Sequence, residues 1–286
     1  MKQLNGKVAL ITGASGGIGT EIARRFAADG IDLVLCGRSA EKLEKTKAIA
    51  EGFCVQTMLW SADLTVDGAA ADCVQAVLDR FGRLDILVNN AGMALSCPFE
   101  ETTTEQFDRI MALNVRAPYF LCQAALPALR QSDHATILNI ASVVGHKGYP
   151  LQSAYAASKH ALIGMSKSLA NEVYAENIRV HVIAPGAVFT DMVRIARPDL
   201  SDEGMILAED IAEIAAFFVE HRTNAVIDEI QVHRAGKAPF AKTSRAPFQG
   251  AAERSEAGGC IESAILPNHA CHCETSVHTG RGNPLS

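Results

Sequence analysis

A chain of 286 residues, 48% of them hydrophobic, can bury a large core and fits one domain with an appendage. Its net charge of −6 gives no footing for nucleic acid or an anionic membrane surface. No apolar run reaches bilayer length and the N-terminus lacks a signal-peptide pattern, so a cytoplasmic protein with its eight cysteines reduced is expected.

In chain order, the apolar run "KVALI" leads into a helical stretch, Thr20–Asp29, and then a second strand, "IDLVLCG". "SAEKLEKTKAIAE" reads as a helix with Ser39 as its N-cap. "CVQTMLW" is followed by a helix over Gly68–Phe81, and "LDILVNN" by a long helix over Thr104–Arg130. "ATILNIAS", a helix over Ala154–Tyr174, "IRVHVIAPG", a helix over Glu209–Glu220 and "IDEIQV" complete the pattern. The strand runs are almost continuously apolar, as strands covered on both faces must be. The alternation predicts an α/β fold: a Rossmann-like, doubly wound parallel sheet of about seven strands, flanked by helices in three layers. Residues 1–236 would form this nucleotide-binding catalytic domain.

The alternation stops near residue 237, and residues 237–286 read as an irregular, disordered tail. Cys260, His269, Cys271, His272, Cys273 and His278 crowd it, but "CHC" lacks the paired spacing of a zinc site, so no metal is expected.

"TGASGGIG" (Thr12–Gly19) joins the first strand to the first helix. A pyrophosphate needs backbone N–H groups at a helix N-terminus, approached without a Cβ in the way. Gly13, Gly17 and Gly19 suit the turn, the approach and the helix–strand packing, Gly16 is a further glycine, and the Ser15 hydroxyl is a donor. A flexible Gly-rich turn is the plainer alternative. The second strand ends in "LCGRS", with Arg38 where an NAD enzyme carries a carboxylate; a guanidinium there suits a 2′-phosphate and favours NADP over NAD. Otherwise Arg38 is a solvated loop charge. "NNAG" (Asn89–Gly92) is good turn chemistry, and Tyr155 and Lys159, four apart, share a helix face.

Together, in this order, these motifs resemble the short-chain dehydrogenase/reductase family in its single-domain form, over residues 5–236. Thr12, Gly13, Gly17 and Gly19 match its T-G-x-x-x-G-x-G motif. The resemblance implies a catalytic tetrad of Asn114, Ser142, Tyr155 and Lys159. It implies cofactor contacts at Gly13, Ser15, Gly16, Gly17, Ile18, Gly19, Arg38, Leu64, Asn90, Ala91, Gly92, Tyr155, Lys159, Pro185, Gly186 and Val188. Asp63 would meet the adenine edge and Thr190 the nicotinamide amide. Tyr155 would serve as general acid and base in hydride transfer between NADP(H), or alternatively NAD(H), and a carbonyl or secondary alcohol. Lys159 and the oxidised nicotinamide would lower its pKa, Ser142 would bind the substrate oxygen, and Asn114 would hold a water linked to Lys159. Family members associate as dimers or tetramers through the long helices that carry Asn114 and Tyr155.

A non-catalytic nucleotide sensor or structural relative is the alternative that an intact tetrad disfavours. An epimerase would need a larger segment after Thr190. Met93–Phe99, Val143–Leu151 and Val188–Asp210 are expected to wall the substrate pocket, which would be apolar and open. His146 and Lys147 either meet a polar or anionic group there or are solvated. The ending "IDEIQVHRAGKAPF" departs from the family's V-D-G-G. That leans away from a 3-oxoacyl-carrier-protein reductase, toward carbonyl reductases and hydroxy-acid or polyol dehydrogenases.

Overall fold

The computed structural model describes residues 4–190, 193, 203–236 and the backbone of 261–263. Nine strands are numbered in chain order: β1 (Val8–Thr12), β2 (Asp32–Gly37), β3 (Thr57–Ser61), β4 (Ile86–Asn89), β5 (Ala94–Ser96), β6 (Thr136–Ile140), β7 (Arg179–Pro185), β8 (Glu229–Val232) and β9 (Ile261–Ser263). Seven of them form one sheet in the order β3-β2-β1-β4-β6-β7-β8, with every pairing parallel. The order reverses between β1 and β4, which opens a crevice at the carboxyl ends of the strands.

Because side chains alternate along a strand, β1 feeds two cores at once. Ala9 and Ile11 pack with α1 (Gly17–Ala28), α2 (Ala40–Glu51) and α7 (Ala208–Glu220) through Phe26, Leu43 and Ile211. Val8 and Leu10 pack on the other face with α3 (Ala69–Phe81), α5 (Ala117–Leu129) and the end of α6 (Ser153–Val173) through Val77, Leu121 and Val173. Across the first face, Arg25 of α1 joins Glu213 and Glu220 of α7 at 3.0 and 2.8 Å. The Ser39 hydroxyl accepts from the Lys42 N–H at 3.3 Å and caps α2 as expected.

The single helix expected over Thr104–Arg130 is instead three pieces: α4 (Thr104–Met111), a π turn over Ala112–Arg116, and α5. Pro118 has no N–H for the carbonyl of Asn114 four residues earlier, so the regular ladder cannot run through this point. Within "YFLCQAALPAL", Leu121, Cys122, Ala125 and Leu129 are buried while Tyr119 and Phe120 are exposed.

β5 has no counterpart among the expected strands, because three residues show no periodicity. It pairs antiparallel with β9: Ala94 with Ser263, Leu95 with Glu262, Ser96 with Ile261. The rest of the tail, including the Cys/His cluster, lies outside the described residues. Cys36, Cys54, Cys73 and Cys122 are free thiols, but Cys97 is disulfide-bonded, which corrects the expectation that all the cysteines stay reduced. Among the described residues no helix is long and apolar enough to cross a membrane, and no group of three or more metal-ligating side chains is placed to hold an ion.

Candidate active site

The glycine turn and the "NNAG" turn leave the ends of β1 and β4 side by side and are fastened to each other. The Thr12 hydroxyl donates to the Val88 carbonyl at 3.2 Å and accepts from the Asn90 and Ala91 N–H groups at 3.0 Å each. The Asn90 amide donates to the carbonyls of Thr12 and Gly13 at 3.0 and 3.1 Å. Gly13 has φ +64°, and a Cβ there would stand 2.9 Å from the Ala91 Cα; a Cβ on Gly19 would stand 2.2 Å from the Gly13 carbonyl. Only glycine permits this closeness. α1 begins at Gly17 with no side-chain cap and no acidic residue in its first turn, so its N-terminal N–H groups face the crevice without a built-in anion.

One cleft runs along the crevice. Its walls include Gly13, Ser15, Gly16, Gly17, Ile18, Arg38, Asp63, Leu64, Asn90, Ala91, Gly92, Ser142, Tyr155, Lys159, Pro185, Gly186, Val188 and Thr190. Of the sequence-derived residues, Gly19 and Asn114 stand behind the wall. Gly19 packs on the Gly13 carbonyl. Lys42, which sequence reasoning missed, lines the cleft one helical turn beyond Arg38; a second cation at that spacing is a legible signal.

At the Arg38 end the charges are mutually balanced. Burial raises the Asp63 pKa, but the Thr65 N–H at 2.9 Å, the Thr65 hydroxyl at 2.7 Å and the Arg38 charge outweigh it and hold the carboxyl below its ordinary range. The Ser61 hydroxyl donates to the Arg38 carbonyl at 3.1 Å, fixing the backbone at the end of β2.

At the other end, Ser142 follows β6, and Tyr155 and Lys159 lie on α6. Lys159 is 5% exposed; its ammonium donates to the Ile140 carbonyl at 2.8 Å and stands 5.9 Å from the Tyr155 ring centroid. Burial pulls its pKa from 10.5 down to about 8. Burial also raises the Tyr155 pKa, and the Ser142 hydroxyl pulls it back only in part. This corrects the expectation of a lowered phenol: Lys159 turns its charge to Ile140, and desolvation wins. Ser142 Oγ donates to the Pro185 carbonyl and accepts from the Val144 N–H, both at 3.3 Å.

Asn114, in the π turn, is 1% exposed. Its Oδ1 accepts from the Met93 N–H, and its Nδ2 donates to the Met93 carbonyl, both at 2.9 Å, and to Ser158 Oγ at 3.0 Å. Ser158 in turn donates to the Tyr155 carbonyl at 2.7 Å. Asn114 thus ties the segment after "NNAG" to the helix that carries Tyr155.

Of the expected pocket walls, Met93 lines the cleft. His146 is paired with Glu229 of β8, so it does not stand as a solvated loop charge. Of the segment Val188–Asp210, residues 191, 192 and 194–202 lie outside the described residues.

The family model of short chain dehydrogenases matches residues 7–201. The chain belongs to the short-chain dehydrogenases. It is an NAD(P)-dependent oxidoreductase of that family. An uncharacterized oxidoreductase of Bacillus subtilis (strain 168) is 37% identical over 213 residues, covering 74% of this chain and 82% of the relative. D-beta-hydroxybutyrate dehydrogenase of Rhizobium meliloti (strain 1021) is 37% identical over 207 residues, covering 72% and 80%. Among solved structures, a short chain dehydrogenase from Burkholderia cenocepacia J2315 in complex with NADP superposes with TM-score 0.75 at 33% identity, over 80% of this chain and 97% of that one. The short-chain dehydrogenase assignment explains why two separated turns and one helix converge on a single cleft.

Proposed function

We propose that this chain transfers a hydride between NADP(H) and a small carbonyl or secondary-alcohol substrate, with Tyr155 as general acid and base. The carrying observation is one cleft with Ser142, Tyr155 and Lys159 at one end and Arg38 at the other. The residues present fit a dinucleotide. The approach at Gly13 excludes any Cβ, and the α1 N-terminus is open to a pyrophosphate. Arg38, with Ser39 and Lys42, suits a 2′-phosphate, and the NADP complex of the Burkholderia relative agrees with that preference.

The nicotinamide, when bound, donates or accepts the hydride. Tyr155, held neutral by burial, protonates the substrate oxygen in reduction and receives that proton in oxidation. Ser142 Oγ hydrogen-bonds the same oxygen as charge grows on it. The Lys159 ammonium holds ribose hydroxyls and biases the phenol toward ionisation once a second cation lies beside it. Asn114 positions Met93 and Ser158 through its amide. Its backbone carbonyl, denied an N–H by Pro118, is suited to hold the water that returns a proton to Lys159.

Among substrates, a hydroxy acid is supported by the likeness to the Rhizobium hydroxybutyrate enzyme, with the half-buried Lys147 the nearest cation in the wall segment once His146 is committed to Glu229. Self-association through α4 and α5 is supported by Phe107, Tyr119 and Phe120, which are 42%, 51% and 46% exposed. The deciding experiment is Tyr155→Phe, with NADPH binding followed by cofactor fluorescence. Binding should persist and turnover should vanish; near-normal turnover would overturn the proposal.

A further inference from the structure

Cys97 follows β5 directly and is disulfide-bonded. Its partner is narrowed by counting. The chain has eight cysteines, and Cys36, Cys54, Cys73 and Cys122 are free. That leaves Cys260, Cys271 and Cys273. The antiparallel register pairs Ala94 with Ser263, Leu95 with Glu262 and Ser96 with Ile261, so one further step sets residue 97 against residue 260. Directly opposed residues in an antiparallel pair lie about 4.5–5.5 Å apart at Cα, inside the range of about 4.4–6.8 Å that a disulfide spans.

We propose that Cys97 and Cys260 form a redox-cleavable latch that holds the C-terminal segment as an added strand beside the substrate side of the cleft. A two-stranded ladder of three residues is marginal in water by itself. The cross-link makes the docking effectively intramolecular over a short span, which holds the strand in place. The position matters to the site. β5 continues from Met93, which lines the cleft and is clamped by Asn114. The Cys97 N–H donates to the Leu151 carbonyl at 2.8 Å, four residues before Tyr155. Leu151 holds φ +63°, so this bond fixes a backbone conformation that L side chains rarely adopt. The latch therefore fastens to the point where the two segments flanking the catalytic tyrosine meet.

Closure needs an oxidant, and a low-molecular-weight disulfide suffices. One cysteine thiolate attacks oxidised glutathione and releases one glutathione thiol. The second cysteine attacks the mixed disulfide and releases the other. Two protein thiols are oxidised and one glutathione disulfide is reduced. The latch does not depend on the proposed substrate; only its effect on catalysis rests on that reading.

The test uses the full-length chain treated with oxidised glutathione, alkylated and digested without reduction. Cleavage after Glu262 separates Cys260 from Cys271 and Cys273. A peptide holding Cys97 linked to one holding Cys260, two hydrogens lighter than the sum, is the expected result. A free Cys97 thiol, or linkage of Cys97 to the peptide with Cys271 and Cys273, would overturn the assignment. Hydrogen exchange at the Ala94–Ser96 amides tests the latch itself. Exchange should accelerate by about an order of magnitude on reduction and equally in Cys260→Ser, with no change in Cys271→Ser. Protection that survives both reduction and Cys260→Ser would mean the strand docks without the disulfide, and would reject the latch.

Discussion

The two ends of the cleft handle positive charge in opposite ways. At the tyrosine end, the single ammonium of Lys159 is buried, hydrogen-bonded to the Ile140 carbonyl and shifted to a pKa of about 8. At the other end, Arg38 is half-buried and Lys42 exposed, beside the carboxylate of Asp63. Burial changes protonation equilibria and is what proton transfer needs. Exposure leaves the charge permanent, which is what recognition of a phosphate needs, at the cost of screening by salt. A cleft that must both move a proton and select an anion separates the two tasks along its length.

The sharpest break in this comparison is Tyr155→Phe. Loss of the acid/base group should lower turnover by about 10²- to 10⁴-fold. Dissociation of NADPH, followed by fluorescence titration, should stay unchanged, because the phenol lies at the end that performs chemistry.

Next is the pH dependence of stability that the buried ammonium imposes. The folded pKa of Lys159 lies below the unfolded 10.5, so the folded chain binds this proton more weakly. The penalty is therefore full below about pH 8 and is relieved as pH rises from about 8 to 10.5. Its size is about 3 kcal/mol. Urea unfolding of wild type and Lys159→Met across this window should show the rise only in wild type. A parallel rise in the variant would place its source elsewhere.

At the opposite end, Arg38→Ala should weaken NADPH by about 10- to 100-fold, the range for hydrogen bonds to a charged group. NADH, which lacks the phosphate, should be nearly indifferent. The ratio of the two dissociation constants is the readout. An equal loss for both cofactors would remove the 2′-phosphate role.

The smallest effect belongs to Lys42→Ala, a few-fold loss for NADPH that shrinks as salt is raised. Titrations at low and high ionic strength measure it. A loss independent of salt would mean that Lys42 acts through packing rather than charge.

Much of the cleft is legible in the residues alone. The glycine spacing, "NNAG" and the Tyr155–Lys159 pair each mark a place where backbone conformation or helix periodicity constrains the residue type, and such local demands are written locally. Arg38 and Lys42 are equally readable as cations beyond the end of the second strand, although the family pattern singles out only Arg38. The break in the long helix is readable too, through Pro118, yet periodicity alone runs past it. β5 and its pairing to Ile261–Ser263 are not readable, because a three-residue strand has no pattern and its partner lies far along the chain. The engagement of His146 by Glu229 is hidden for the same reason.

By itself, then, the sequence determined the alternating α/β fold, the dinucleotide turn and the identity of the reacting side chains, since each follows from residues a few positions apart. Tertiary structure alone decided which way the phenol's proton affinity moves, what Asn114 fastens, and which segment covers β5. Those outcomes depend on desolvation and on partners brought together from distant parts of the chain, and neither is encoded in local spacing.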